Sequence, residues 1–401
     1  MSALAGRRVV LGVCGGIAAY KAIDVCRRLV DAGAHVVPVL TNGARHFVGE
    51  TTFSALASEP VQSSLWNEAS PIPHTRLGQQ ADLILVAPAT ARLLSDYRTG
   101  RSADLLTATL IATRAPVLVC PAMHTEMWEH PSVQDNLEVL AGRGVQVVAP
   151  EAGRLAGGDL GLGRLASPEV IVAHAERLLS GGDLRGVRML VTAGGTREAI
   201  DPVRVVTNRS TGKQGYAVAA AAWARGAAVT LVTTADRPVP VGVDVVRVES
   251  AAEMEAAVMP RAADVDVIVM AAAVADFRPK SVADRKIKKG DGLPDIILEP
   301  THDFLVDLGR GKRAGQVIVG FAAETNDVLV NAHEKLTRKN LDLIVANDVG
   351  APDVGFAHDT NAVTIITAGG QATAIPLADK RVIADAICDA IVTRRTSISS
   401  Q

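Results

Sequence analysis

Aromatic side chains are scarce, at 3% of 401 residues, and no excess of one charge exists: 41 Lys and Arg stand against 43 Asp and Glu, a formal net of −2. With neither a basic surplus nor stacking platforms, the composition argues against general nucleic-acid binding. Cysteine is almost absent. Cys14, Cys26, Cys120 and Cys388 are widely spaced among apolar residues and form no CxxC pair, which speaks against a zinc ribbon or a dithiol motif and for buried thiols in a reducing compartment. Long apolar runs are missing too, none approaching the roughly 18 residues of a membrane span. Arg7 and Arg8 precede a short strand-like run rather than a secretion signal. A cytoplasmic protein without membrane contact is expected.

What is present is ordinary globular usage, 48% hydrophobic with 35 Gly and 19 Pro, in a chain long enough for about two or three domains. Short apolar runs at Arg8–Val13, His35–Leu40, Leu83–Ala87, Val117–Cys120 and Val145–Val148 alternate with helical spacing, as in Ile17 to Ala32, which Gly33 ends. The grammar restarts at Val187–Thr192, with a helix over Gly215–Ala224 and further strands at Ala228–Thr233, Val267–Met270, Val317–Gly320, Leu343–Ala346 and Ala362–Thr367. This pattern predicts an α/β protein of two Rossmann-like (flavodoxin-like) three-layer domains with mostly parallel sheets, residues 1–180 and 181–401, joined at Ser180-Gly181-Gly182-Asp183. Each half opens with strand, Gly-Gly turn and helix, a place where an anion could rest on backbone N–H groups. Neither turn spells GxGxxG, and Gly212-Lys213-Gln214 lacks the P-loop's leading Gly and Ser/Thr, so the glycines could equally serve close helix packing.

Three stretches stand out in the first half: Gly12 to Lys21 with its Cys-Gly-Gly turn, Pro88-Ala89-Thr90-Ala91, and Pro121-Ala122-Met123-His124-Thr125-Glu126-Met127-Trp128. With His74 in His-Thr-Arg-Leu, they resemble the cysteine-decarboxylase flavoproteins that bind FMN. The second half carries Thr192 to Glu198, Asp201-Pro202-Val203-Arg204, Asn208 to Lys213, Ala271 to Phe277, Lys286-Ile287-Lys288-Lys289, Gly320 to Thr325 and Lys339-Asn340-Leu341-Asp342. That series, in that order, resembles phosphopantothenate–cysteine ligase. Taken together, nearly the whole chain resembles the bacterial bifunctional phosphopantothenoylcysteine decarboxylase/phosphopantothenate–cysteine ligase family of coenzyme A synthesis.

The resemblance implies FMN as cofactor of the first domain, because a cysteine carboxylate that loses carbon dioxide needs an electron sink. It makes His74 the base and binder at the thiol and carboxylate end, places Gly15, Gly16, Thr41 and Thr90 at FMN-contacting positions, and sets Met123 near the flavin. The chain departs from the family pattern at His124, where Asn usually holds the substrate carboxylate, a hydrogen-bonding task open to imidazole as well. It departs again at Gly157, where many members carry a flap cysteine that protonates the enethiol intermediate, and at Arg92, where Asn is common. The glycine-rich Ala152–Arg164 reads as a mobile loop over the substrate. His124 and His130, six residues apart without a third ligand, make a poor zinc site.

For the second half the resemblance implies CTP with Mg²⁺, since a carboxylate must become an acyl-nucleotide before an amine can attack it, and phosphate charge must be neutralised. Lys286 is the expected triphosphate stabiliser, Asn208 holds the acyl-cytidylate, and Arg204 assists cysteine addition. Ser210, Asp276, Phe321, Lys335 and Lys339 are the expected nucleotide contacts, Asp276 also as a Mg²⁺ ligand. The implied small-molecule partners are 4′-phosphopantothenate, cysteine and CTP, in a homo-oligomer that the family makes a dodecamer. Two other readings stand beside this one. The first domain could be a non-catalytic or regulatory FMN binder, which His124 and Gly157 keep open. A two-domain NAD(P)-dependent reductase is disfavoured by the missing dinucleotide fingerprint.

Overall fold

Strand β1 (Arg8–Val13) is apolar along almost its whole length because both its faces are covered. Val9, Leu11 and Val13 enter one buried cluster with Leu29, Val36 and Leu85, whereas Val10 joins another with Val37, Ile84 and Val119. Such two-sided burial is the signature of a parallel sheet between helical layers. The sheet adds β2 (His35–Leu40), β3 (Leu83–Ala89), β4 (Val117–Pro121) and β5 (Gln146–Val147), all parallel, in the order β2-β1-β3-β4-β5. The computed structural model describes residues 2–66, 71–288, 296–324, 328–348 and 358–399. It divides into two compact units, Met1–Gly181 and Gly182–Gln401.

In the first unit the expected helix after Gly16 begins as a tight 3₁₀ turn, Ile17–Tyr20, before the regular helix Lys21–Asp31, and Gly33 takes the left-handed conformation at φ +87° that ends it. His74 lies in the first turn of a helix, Pro73–Gln80, whose leading proline suits that position. The glycine-rich segment expected as a loop forms an antiparallel hairpin, β6 (Glu151–Arg154) with β7 (Leu160–Arg164). Its base is fixed to the sheet: Met123 N–H donates to Gly163 O at 3.0 Å, and a Cβ on Gly163 would fall 2.1 Å from Met123 O.

The second unit is built on β8 (Arg188–Ala193), with a small ribbon of β9 (Arg197–Ala199) and β10 (Val205–Thr207) beside it. Its main sheet continues through β11 (Ala228–Thr233), β12 (Asp244–Arg247) and β13 (Val267–Met270). A second ribbon pairs β14 (Phe277–Pro279) with β15 (Leu298–Pro300), and β16 (Val317–Glu324), β17 (Leu343–Asp348), β18 (Thr360–Thr367) and β19 (Ala372–Asp379) follow. The main sheet runs β12-β11-β8-β13-β16-β17-β18-β19. Its first six strands are parallel in the doubly wound 3-2-1-4-5-6 order, and β18 and β19 extend it antiparallel. Leu190, Ile268, Ile318 and Ile344 form one core face with Met254, Phe304 and Leu336 from the covering helices. Each unit thus has the expected α/β architecture with a mostly parallel sheet.

Candidate active sites

Open parallel sheets bind ligands beyond the carboxyl ends of their strands, where the strand order reverses. In the first unit that point lies between β1 and β3, and the motifs meet there. Gly15 and Gly16 follow β1, Thr41 follows β2, Thr90 follows β3, and Met123 and His124 follow β4. A Cβ on Gly15 would stand 2.5 Å from the Gly43 carbonyl carbon, so the turns after β1 and β2 touch backbone to backbone. Gly16 is extended and open, with nothing within 4 Å of a Cβ and no side chain capping the helix that follows. Ile17, Tyr20 and Phe47 nearby are exposed.

The two threonines have structural work of their own. Thr41 Oγ1 donates to Val13 O and accepts from Ala44 N–H, each at 3.2 Å, and Thr90 caps the helix Ala91–Thr99 by accepting from Leu93 N–H. Beneath Thr90, burial pushes the Cys14 thiol up to about 12, so it is inert at neutral pH. His74 is half-buried, and its Nδ1 is buried without a hydrogen-bond partner among the described residues. His124 pairs through Nδ1 with Glu126 and through Nε2 with Asp159 Oδ2 at 3.3 Å. The hydrogen bond it donates to the Glu126 carboxylate leads in raising its basicity above that of an ordinary imidazole. Met123 packs half-buried on the core beside it.

In the second unit a cavity of 620 Å³ opens at the β8/β13 switch point, reaching the end of β16. It brings together Asn208, Ser210, Asp276, Phe321, Lys335 and Lys339. Asn208 Nδ2 donates to Ala273 O and Val274 O, both at 3.3 Å, which fixes the amide against the turn after β13. Lys335 Nζ donates to Phe321 O at 3.0 Å. Lys339 is buried and reaches Asp303 Oδ2 at 2.6 Å. Asp276 is exposed, and no group of three or more His, Cys, Asp or Glu side chains among the described residues could hold a metal.

Lys286 and Arg204 are not among the residues that line this cavity. Both are exposed, and a buried Asp201 ties their segments together. Asp201 accepts from Val203 and Arg204 N–H at 2.8 Å, from Arg204 Nε at 3.0 Å and from Ile287 N–H at 3.2 Å. Burial alone would raise its pKa, but these donors and the guanidinium outweigh burial and hold the carboxyl below its usual value. Lys289 and Thr325 lie outside the described residues.

A family model described as "Flavoprotein" matches residues 2–180, and one described as "DNA/pantothenate metabolism flavoprotein C-terminal domain" matches residues 184–394. A coenzyme A biosynthesis bifunctional protein CoaBC of Mycobacterium bovis is 49% identical over 98% of this chain and 98% of its own. That of Bacillus subtilis is 45% identical over 94% of each. The chain belongs to this bifunctional coenzyme A biosynthesis family. A solved C-terminal domain of a CoaBC protein, 42% identical, covers 53% of this chain and 97% of its own with a TM-score of 0.46.

Within this family member, the motifs missed cavity residues that arrive from other parts of the chain: Asp303, Asn347, Asn361 and Lys380 line it as well. Asn347 and Asn361 are 8% and 5% exposed, and polar groups so deeply placed would have been a signal had burial been readable. No helix among the described residues is long and apolar enough to cross a membrane.

Proposed function

We propose that the second domain, residues 181–401, couples 4′-phosphopantothenate to cysteine with CTP through an acyl-cytidylate. The first, residues 1–180, then decarboxylates the product with FMN to 4′-phosphopantetheine. The carrying observation is the cavity in which a fixed amide, Asn208, shares space with Ser210, Asp276, Phe321 and two tethered lysines. Attack of the substrate carboxylate on the α-phosphorus builds negative charge on phosphate oxygens. Lys335 and Lys339, already held in place, stabilise that charge without reorganising. Asn208 suits the acyl-cytidylate, and Phe321 offers a face to the base. Arg204, bonded to Asp201, and Lys286, whose neighbour Ile287 donates to the same carboxylate, act on cysteine addition and on the triphosphate. Mg²⁺ arrives with the nucleotide, Asp276 supplying one ligand, as such ions are commonly held by one carboxylate and phosphates.

The first unit's residues fit FMN. The open Gly16 turn gives an uncapped helix start to a phosphate, and exposed Ile17, Tyr20 and Phe47 give apolar cover to a ring. Bound FMN supplies the electron sink for decarboxylation. By resemblance His74 accepts the substrate thiol's proton and holds its carboxylate, and His124 takes the place of the Asn that usually binds that carboxylate. The reading includes a cytoplasmic homo-oligomer, a dodecamer by resemblance.

Gly157 favours one alternative, a ligase with a non-catalytic flavin-binding unit. Incubating the full chain with 4′-phosphopantothenate, cysteine, CTP and Mg²⁺, with mass detection of products, decides between them. Both the ligated and decarboxylated masses support two activities. The ligated mass alone supports the alternative, and neither mass overturns both.

A further inference from the structure

The β6–β7 hairpin lies along the turn after β4. Met123 N–H donates to Gly163 O at 3.0 Å, a Cβ on Gly161 would fall 2.2 Å from Thr125 Oγ1, and Asp159 Oδ2 lies 3.3 Å from His124 Nε2. That register sets Gly157 against the imidazole, so that a Cβ there would stand 3.7 Å from Nε2. A thiol sits one bond beyond its Cβ, and the His124 nitrogen is therefore within reach of the place where a flap cysteine's sulfur would be. No native thiol takes that place: all four cysteines are buried, and burial pushes the Cys14 and Cys120 thiols well up. The ring is held ready to donate at Nε2. Its Nδ1 is engaged by the Glu126 carboxylate, whereas Nε2 has only the longer bond to Asp159, whose side chain is 67% exposed and free to yield. Glu126 from the ring's own turn and Asp159 from the hairpin are the charged groups paired with it among the described residues, and both favour the imidazolium, in which both nitrogens donate.

We propose that His124 is the acid of the first unit, donating its Nε2 proton to the substrate carbon that has lost carbon dioxide, the step for which many family members carry a flap cysteine. The proposal rests on the reading of this unit as an FMN-dependent decarboxylase. Carbon dioxide leaves from the place where residue 124 holds the carboxylate by resemblance, so Nε2 is beside the carbon left behind. That carbon belongs to an enethiolate, whose C=C electron pair takes the Nε2 proton and leaves a thioaldehyde. Hydride from reduced FMN then adds to the sulfur-bearing carbon and gives the product thiolate. One proton and one hydride are consumed, the two electrons taken earlier from the thiol are returned, and the imidazolium becomes a neutral imidazole that solvent protonates again.

The full chain loaded with FMN and given 4′-phosphopantothenoylcysteine tests it, with carbon dioxide release, product mass and flavin absorbance followed together. His124→Asn keeps a hydrogen-bonding side chain for the carboxylate, so carbon dioxide release in the first turnover is expected to continue. Saturated thiol should fall about 10²-fold, replaced by a product two hydrogens lighter with the flavin left reduced. Gly157→Cys in that background should restore most of the saturated thiol, which a merely structural role for His124 would not allow. Saturated thiol at an unchanged rate in His124→Asn overturns the proposal, as does a stall at the lighter product in the unsubstituted chain. Joint loss of carbon dioxide and saturated thiol in a His124→Asn chain that still binds FMN also overturns it, because His124 would then act before the proton step. If the unsubstituted chain releases no carbon dioxide, the decarboxylase reading falls and the proposal with it. One readout needs neither substrate nor variant: ¹⁵N NMR of the unsubstituted chain at pH 6.5 should show more than half of the His124 rings protonated at both nitrogens. A bare Nε2 under those conditions overturns the proposal.

Discussion

His124 Nε2 lies 3.3 Å from Asp159 Oδ2, so one imidazole joins the turn after β4 to the tip of the β6–β7 hairpin. The hydrogen bond donated to Glu126, then the charges of Glu126 and Asp159, raise its pKa above the ordinary 6.5. A folded value raised above the unfolded one means the link is complete below the unfolded value and is lost as pH rises through the folded one. Decarboxylation is expected to fall along an alkaline limb centred above 6.5, and His124→Asn should abolish that limb. An NMR titration of the His124 ring protons checks the assignment. A midpoint at or below 6.5 would detach the hairpin from His124 protonation.

Gly157 faces the same imidazole. A Cβ there would stand 3.7 Å from His124 Nε2 and 3.1 Å from Asp159 Oδ2, a flexible carboxylate that can give way. The thiol introduced by Gly157→Cys therefore lies beside an imidazolium, and its alkylation should titrate below the roughly 8.5 of a free cysteine. The four native thiols are buried and should not compete. Alkylation rate against pH, repeated with His124→Asn, is the measurement. Identical profiles in the two backgrounds would show that the flap glycine and the imidazole act independently.

Much of the architecture was legible because apolar runs and glycine turns alternate so regularly. His35–Leu40, Ala228–Thr233 and Val267–Met270 match their predicted strands end for end, since buried strands must be apolar on both faces. What escaped notice lies at edges: β12 is half-exposed, and β19 is mostly exposed. Neither carries the run that marks a covered strand. At the sites, local motifs named Asn208 and Ser210, but Lys380 and Asn361 reach the same cavity from the last strands and helix of the unit. Only the folded sheet brings them there, and the Asp201 clasp depends likewise on a partner 86 positions away.

Gly215, in the helix that follows the second Gly-Gly turn (Gly194-Gly195), serves packing: a Cβ would fall 2.6 Å from Ala193 Cβ and 2.7 Å from Thr192 O. The helix Lys213–Ala224 rests directly on β8 there. Gly215→Ala should cost about 1–3 kcal/mol of stability through overpacking. Urea denaturation of the full chain, following the transition of the second unit, measures it. A loss under about 0.5 kcal/mol, the scatter expected of a neutral surface change, would show that the helix lifts freely from the sheet.

Lys286 and Asn208 occupy different places, and the order of chemical steps assigns them different effects. Asn208 lines the cavity with its amide fixed by two carbonyls, whereas Lys286 is exposed outside it, its neighbour Ile287 bonded to Asp201. Lys286→Gln removes a positive charge from the first step, where phosphate charge develops, so both acyl-cytidylate and diphosphate should fall together, by about 10²-fold. Asp201→Asn should follow it partway, because the clasp would lose its charge and grip Arg204 and Ile287 less firmly. Asn208→Asp leaves that step possible and weakens the hold on its product, so diphosphate should appear while acyl-cytidylate accumulates or leaks. Rapid-quench detection of both species, with CTP and then ATP, separates these outcomes. Equal loss of both species in Lys286→Gln and Asn208→Asp would erase the division of roles, and equal turnover with ATP would remove the cytidine preference from the cavity.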